Sequence, residues 1–252
     1  MLELKNINKT FGRRHVTQNF SSSFQQGKTD LIIGESGSGK TVLLKCMVGL
    51  TEVDSGEVLY DGKDFVKMTM KEKQNLRKEM GMLFQGGALF DSKTVEENIT
   101  FPLSMFTEMS EEEKIERANF CLSRVNLKNV NKLFPSEISG GMKKRVAIAR
   151  AIANNPKYLF CDEPNSGLDP KTSIVIDKLI KDITTEFNMT TIVITHDMNS
   201  VMEIGDKVVF ICNSQKWWEG TKETILHTDN KELQDFIYVS KFLKDLKNKQ
   251  QI

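Results

Sequence analysis

Gly34-Glu35-Ser36-Gly37-Ser38-Gly39-Lys40-Thr41 decides the reading of this chain. The stretch fits the pattern GxxxxGK[ST]. It follows the apolar run Leu31-Ile32-Ile33 and precedes a helix-compatible segment with Val42, Leu43, Leu44 and Met47. That is the strand, loop and helix context the pattern requires. Glycines let the backbone curl until successive N–H groups point at phosphate oxygens, and the helix N-terminus adds its positive end. Lys40 brings a full charge to the β and γ phosphates, and the Thr41 hydroxyl is a ligand for Mg2+. The whole stretch from Gly34 to Thr41 is therefore expected to line a nucleotide phosphate site.

A phosphate cradle alone hydrolyses nothing. Tyr158-Leu159-Phe160-Cys161-Asp162-Glu163 supplies a second part, an apolar strand ending in two acids. Asp162 at the strand tip is placed to hold Mg2+, and Glu163 to polarise an attacking water as general base.

Working outward, the N-terminal part mixes short alternating segments with turns at Gly12 and Gln26-Gly27-Lys28. Strands bounded by glycine fit this pattern. Ser110-Glu111-Glu112-Glu113 is a capping box, after which Ile115, Ala118, Leu122 and Val125 fall on one helical face. A second helix is expected from Met142 to Ala153, stopping before Pro156. Asp169-Pro170 opens a third, with Ile176, Leu179, Ile180 and Ile183 on one face. Thr191–Thr195 and Val208–Cys212 are continuous apolar strands. Helices alternating with such strands imply a mainly parallel α/β sheet covered on both faces, interrupted by a helical insertion at about 86–155.

Composition sets the bounds. The 252 residues carry 35 basic and 34 acidic side chains, a formal net charge of +1 that argues against a nucleic-acid partner. With 39% hydrophobic and 27% charged residues, the chain reads as globular rather than disordered. Its longest apolar runs, such as Val208–Cys212, fall far short of the roughly 20 residues of a membrane helix. The start, Met1-Leu2-Glu3-Leu4-Lys5, lacks the apolar centre of a signal peptide. Cys46, Cys121, Cys161 and Cys212 are widely spaced, which points to buried free thiols in a reducing cytosol rather than zinc or disulfides.

Ile138-Ser139-Gly140-Gly141-Met142 resembles the signature LSGGQ, and with it the chain resembles the ATPase subunit of an ATP-binding cassette (ABC) transporter. The resemblance runs to about residue 226. It implies a P-loop NTPase core (RecA-like) with an N-terminal antiparallel β subdomain and an inserted α-helical subdomain. It implies ATP and Mg2+ as ligands, and a head-to-tail homodimer in which Ser139, Gly140 and Gly141 reach the γ phosphate in trans. Phe11 resembles the aromatic that stacks on adenine. Gln85 resembles the glutamine that reaches Mg2+ and the water, Ser166-Gly167-Leu168-Asp169 an interface loop, and His196 the switch histidine at the γ phosphate. His15 and His227 have no such context and read as surface residues. Two departures stand in the signature, Ile138 for Leu and Met142 for Gln, and Asn165 stands where Thr is common. Trp217 and Trp218 fit the edge of a last hairpin.

Gly86-Gly87-Ala88-Leu89-Phe90, then Val95-x-x-Asn98 and Phe101-Pro102-Leu103, resemble the ATPase of the Mla/Mce phospholipid-trafficking transporters. That likeness implies lipid transport between membranes and a separate permease docking near Gln85–Leu103. It also implies an Mce-domain protein, a small regulatory subunit, and a place on the inner face of the cell membrane. An apolar Ala88-Leu89-Phe90 loop suits a hydrophobic socket for a partner helix. Cassettes for another substrate, such as an amino acid or lipoprotein, and a soluble assembly factor remain the alternatives. Residues 1–228 are expected to form the ATPase domain and 229–252 a helical tail.

Overall fold

Alternate side chains of a buried strand leave a sheet on opposite faces, so a strand apolar at every position needs a cover on each side. The computed structural model describes residues 1–238 and shows both covers. Strands β1 (Leu2–Phe11) and β2 (Arg14–Phe24) form a hairpin followed by β3 (Thr29–Ile33) and helix α1 (Lys40–Met47). Then come β4 (Ser55–Tyr60), β5 (Lys63–Asp64), α2 (Met70–Lys78) and β6 (Met80–Leu83). Helices α3 (Val95–Phe106), α4 (Glu111–Arg124) and α5 (Gly140–Ile152) lead back to β7 (Tyr158–Asp162). The order closes with α6 (Pro170–Glu186), β8 (Thr190–Thr195), α7 (Met198–Ile204), β9 (Lys207–Cys212), β10 (Gln215–Gly220), α8 (Lys222–Ile225) and α9 (Lys231–Ile237).

The main sheet has the order β10-β9-β3-β8-β7-β6, parallel except for the edge strand β10; a second, antiparallel sheet has the order β2-β1-β4-β5. Ile32, Phe160, Ile192, Ile194 and Val209 point into a core shared with α1 and the antiparallel sheet. Leu31, Ile33, Leu159, Cys161 and Val193 point the other way, into a core built with α3, α5 and α6. The α/β reading and its N-terminal antiparallel layer hold.

Three local expectations change. Ile115 is 38% exposed, and the buried stripe of α4 is Ala118, Cys121 and Leu122, continued by Val125. The helix expected from Met142 starts at Gly140, because the Ser139 hydroxyl caps it by accepting from Met142 N at 3.3 Å. Cys212 is only half-buried, whereas Cys46, Cys121 and Cys161 are buried and all four are free. Of the expected tail, α9 buries Leu233 and Ile237 and sets Phe236 5.4 Å from Phe210 on β9; residues 239–252 of it lie outside the described residues.

At the opposite end of the sheet from the strand tips, Asp30 is 2% exposed and its carboxyl is pushed up to about 6 by burial, with Asp206 and Glu219 adding and Lys207 opposing. The folded chain therefore holds a proton that the unfolded chain releases, and stability falls as pH rises through that interval. Asp30→Asn should raise thermal stability at about pH 7.5, by on the order of 1 kcal/mol, and change it little near pH 4. Equal melting shifts at both pH values would contradict this.

Candidate active site

Four strand ends converge where the sequence places its chemistry. The loop after β3 runs from Gly34 into α1, whose N-cap is Gly39 at φ 102°. A Cβ at Gly39 would collide with the Val16 carbonyl oxygen on β2, so close approach and backbone conformation both demand glycine here. Lys40 is 6% exposed and donates to the carbonyl oxygens of Gly34 at 2.8 Å and Glu35 at 2.9 Å. Burial lowers its pKa, and Glu163 and Asp162 oppose that shift. Ser38 Oγ is buried without a partner. A half-desolvated ammonium and an orphaned hydroxyl fit an incoming phosphate chain.

The neighbouring strands complete the site. Asp162 ends β7 and accepts from Thr41 Oγ1 at 3.1 Å; burial raises its pKa. Two hard oxygen donors side by side, one of them a carboxylate short of a cation, fit Mg2+. Glu163 follows in the left-handed region at φ 48°, a costly conformation for a residue with a Cβ, and its N–H donates to Ile194 O at 2.9 Å. That turn aims its carboxylate at His196 beyond β8, whose Nδ1 lies 3.0 Å from Oε1 and 2.9 Å from Oε2. The Gln85 amide, beyond β6, donates to Ser166 Oγ at 3.2 Å.

Phe11, 52% exposed, stands at the mouth of a groove of about 360 Å³ lined also by Arg14, Val16, Gly37, Lys40 and Thr41. Arg14 on the same hairpin donates to Gly37 O at 3.2 Å, so the hairpin tip and the loop hold each other. Ser139, Gly140 and Gly141 have other neighbours. A Cβ at Gly141 would lie 2.8 Å from the Thr172 methyl, and one at Gly140 would lie 4.0 Å from Leu168. Met142 is half-buried and packs on the core.

A protein-family model described as ABC transporter matches residues 17–166. The chain belongs to the ABC transporter family. It is 38% identical over 237 residues to the intermembrane phospholipid transport system ATP-binding protein MlaF of Haemophilus influenzae, covering 94% of this chain and 90% of that protein. It is 37% identical to the methionine import ATP-binding protein MetN of Campylobacter jejuni, covering 97% and 78%. Among solved structures, the dimeric ATP-binding cassette MJ0796 in a post-hydrolysis state with ADP and Pi superposes with a TM-score of 0.81 at 32% identity, covering 88% of this chain and 99% of that one. This ABC chain is accordingly an ATPase subunit of a transporter, with ATP as its substrate and Mg2+ as the ion that accompanies it. Among the described residues no helix is long and apolar enough to cross a membrane.

Two basic residues of the ABC core escape sequence reasoning. Lys144, buried in α5, donates to Gln85 O; burial lowers its pKa, and Cys161, Asp162 and Glu163 oppose that shift. Arg150, two turns on, donates to Ala88 O at 2.7 Å and Gly87 O at 2.6 Å. A basic run after a signature looks like a solvated face, and nothing in its pattern singles these two out. Gly39→Ala should destabilise the nucleotide-free protein by about 1–3 kcal/mol and weaken ATP binding. Unfolding without nucleotide and equilibrium binding of ATP check the two halves separately.

Proposed function

We propose that this chain hydrolyses ATP to drive phospholipid transport between membranes through a separate permease that docks on the segment Gln85–Leu103. The observation that carries this reading is the build of that segment. Ala88 and Phe90 are exposed, Leu89 is half-buried against the core, and Phe90 packs on Phe101 in a tilted pair with ring centroids 4.8 Å apart. Fully buried Asn98 binds the loop from inside, accepting from Phe90 N at 2.8 Å and donating to the oxygens of Phe90, Lys93 and Thr94. A preformed apolar loop on a rigid base suits a helix of a membrane partner. The likeness of the same segment to Mla/Mce ATPases, and the similarity to MlaF along the chain, favour lipid. Similarity to MetN keeps amino-acid import as the second reading.

In this reading residues 1–228 are the ATPase unit, with the inserted helical part at about 86–155, and 229–252 a tail. The chain lies on the cytoplasmic face of the membrane. Further partners are an Mce-domain protein and a small regulatory subunit.

The site works by position and charge. Phe11 offers a face to adenine, and the N–H groups from Gly34 to Thr41 take the phosphates, with Lys40 beside the β and γ oxygens. Thr41, Asp162 and Gln85 would hold Mg2+, which would supply charge neutralisation at the phosphates. Glu163 accepts the proton of the attacking water, and His196 fixes the direction of its carboxylate and contacts the γ phosphate. Ser139, Gly140 and Gly141 of a second copy close the site, their helix N-terminus aimed at the γ phosphate.

Glu163→Gln should bind Mg-ATP normally, lose on the order of 10²-fold or more in turnover, and persist as a dimer in gel filtration with Mg-ATP. Undiminished hydrolysis would remove Glu163 from the base role. For the cargo, the tagged chain purified from gently solubilised membranes should bring down a polytopic permease and an Mce-domain protein. A different permease would discard lipid and keep the transporter; soluble partners alone would sink both.

A further inference from the structure

The last ladder pairing between β7 and β8 is Asp162 with Ile194, followed by the single bond from Glu163 N to Ile194 O. Past that point the sheet no longer sets the distance between the segment bearing Glu163 and the segment bearing His196. A buried chain of side chains bridges it instead. Asn165, two residues after Glu163, donates through Nδ2 to Ser200 Oγ at 3.1 Å. Ser200, on the first turn of α7 just after His196, donates through Oγ to Asp177 Oδ2 at 2.8 Å. Asp177 lies on α6, is 2% exposed, and Ser200 is fully buried.

The direction of this chain follows from chemistry. Burial pushes the Asp177 carboxyl up to about 6, with Asp197 on the N-cap of α7 and Glu203 on its last turn adding to the shift and the hydrogen bonds from Ser200 and Asn165 opposing it. In its ionised form it can only accept, as it does from Ser200 Oγ. Ser200 must then give its one proton to Asp177, which leaves its oxygen free to accept only from the Asn165 amide nitrogen. One buried charge thus orients two further side chains, and the second of these belongs to the turn that holds Glu163. Oδ1 of Asp177 and Oδ1 of Asn165 are buried without a partner.

We propose that Asp177 is a positioning residue for ATP hydrolysis, acting through Ser200 and Asn165 to hold the Glu163 carboxylate and the His196 imidazole in register beyond the end of the sheet. The inference rests on the reading of Glu163 and His196 as the hydrolytic pair. The bridge bonds to no residue of the phosphate loop, so its effect falls mainly on the chemical step.

The experiment compares Asp177→Ala, Asp177→Asn, Ser200→Ala and the double variant Asp177→Ala/Ser200→Ala in the full chain. It measures steady-state kcat and KM, equilibrium binding of a fluorescent ATP analogue, and the unfolding midpoint. Asp177→Ala and Ser200→Ala should each lower kcat about tenfold, with KM and nucleotide affinity within about twofold. The double variant should be no worse than either single one, because both break the same chain. Asp177→Asn keeps an acceptor for Ser200 and should recover most of the lost rate. Should Asp177→Ala fold poorly, Ser200→Ala, which removes one oxygen, carries the same comparison. Unchanged kcat in folded Ser200→Ala, additive losses in the double variant, or a parallel fall in affinity and rate would each overturn the proposal. Glu163→Gln separates the two levels. If it abolishes turnover while the bridge variants keep theirs, only the bridge fails; if it leaves turnover intact, the hydrolytic pair fails and the bridge with it.

Discussion

Parallel pairing of β3 with β8 and of β8 with β7 decides where every charged group of the site stands. The register sets Ile33 against Thr195 and Asp162 against Ile194, so three strands end at one level and open into the phosphate loop, the Glu163 turn and His196. Backbone N–H groups, an ammonium, a carboxylate and an imidazole thereby meet with no element moving far. The apolar residues beneath them are buried at every position of β3, β7 and β8, and packing that dense leaves the strand tips little freedom. The groups at those tips carry the opposite stamp: Lys40 and Asp162 are both partly stripped of water, and each has its charged form disfavoured by it. A metal–nucleotide complex relieves the two at once, giving anions to one and a cation to the other.

What was legible in the sequence is what local geometry demands. The spacing of residues 34–41 and the acids ending an apolar run at 162–163 can be read in short windows, although the close approach of Val16 O that also demands glycine at 39 lies outside them. The switch from alternating to continuous apolar strands likewise announced a second layer of helices. The exposed side of α4 was misjudged at Ile115 because a helical face drawn from four residues has an uncertain edge. Cys121, which the apolar count passed over, takes the inward position.

What was not legible depends on contacts distant in sequence. Asn165, Asp177 and Ser200 are 12 and 23 positions apart along the chain and carry no shared pattern; a serine on a helix and an aspartate in an otherwise apolar stripe each look incidental. Lys144 and Arg150 were hidden for the same reason, since their acceptors are carbonyl oxygens at Gln85, Gly87 and Ala88, which have no sequence signature at all. The roles the family likeness suggests for Ser139, Gly140 and Gly141 need a second chain, and in one copy their neighbours are Leu168 and Thr172.

Helix α5 joins features otherwise separate. It begins at the Ser139 cap, and its third turn carries Arg150, which grips the backbone of the left-handed pair Gly87 and Ala88. Thirteen residues make a rod about 20 Å long, and a helix of that length packed along its flank resists bending far better than it resists translation. The loop at 87–90, held by Arg150 and lying against Ala147, and the signature that opens the helix are thus fastened to one rod. A pull on the loop therefore loads the same helix that the signature begins.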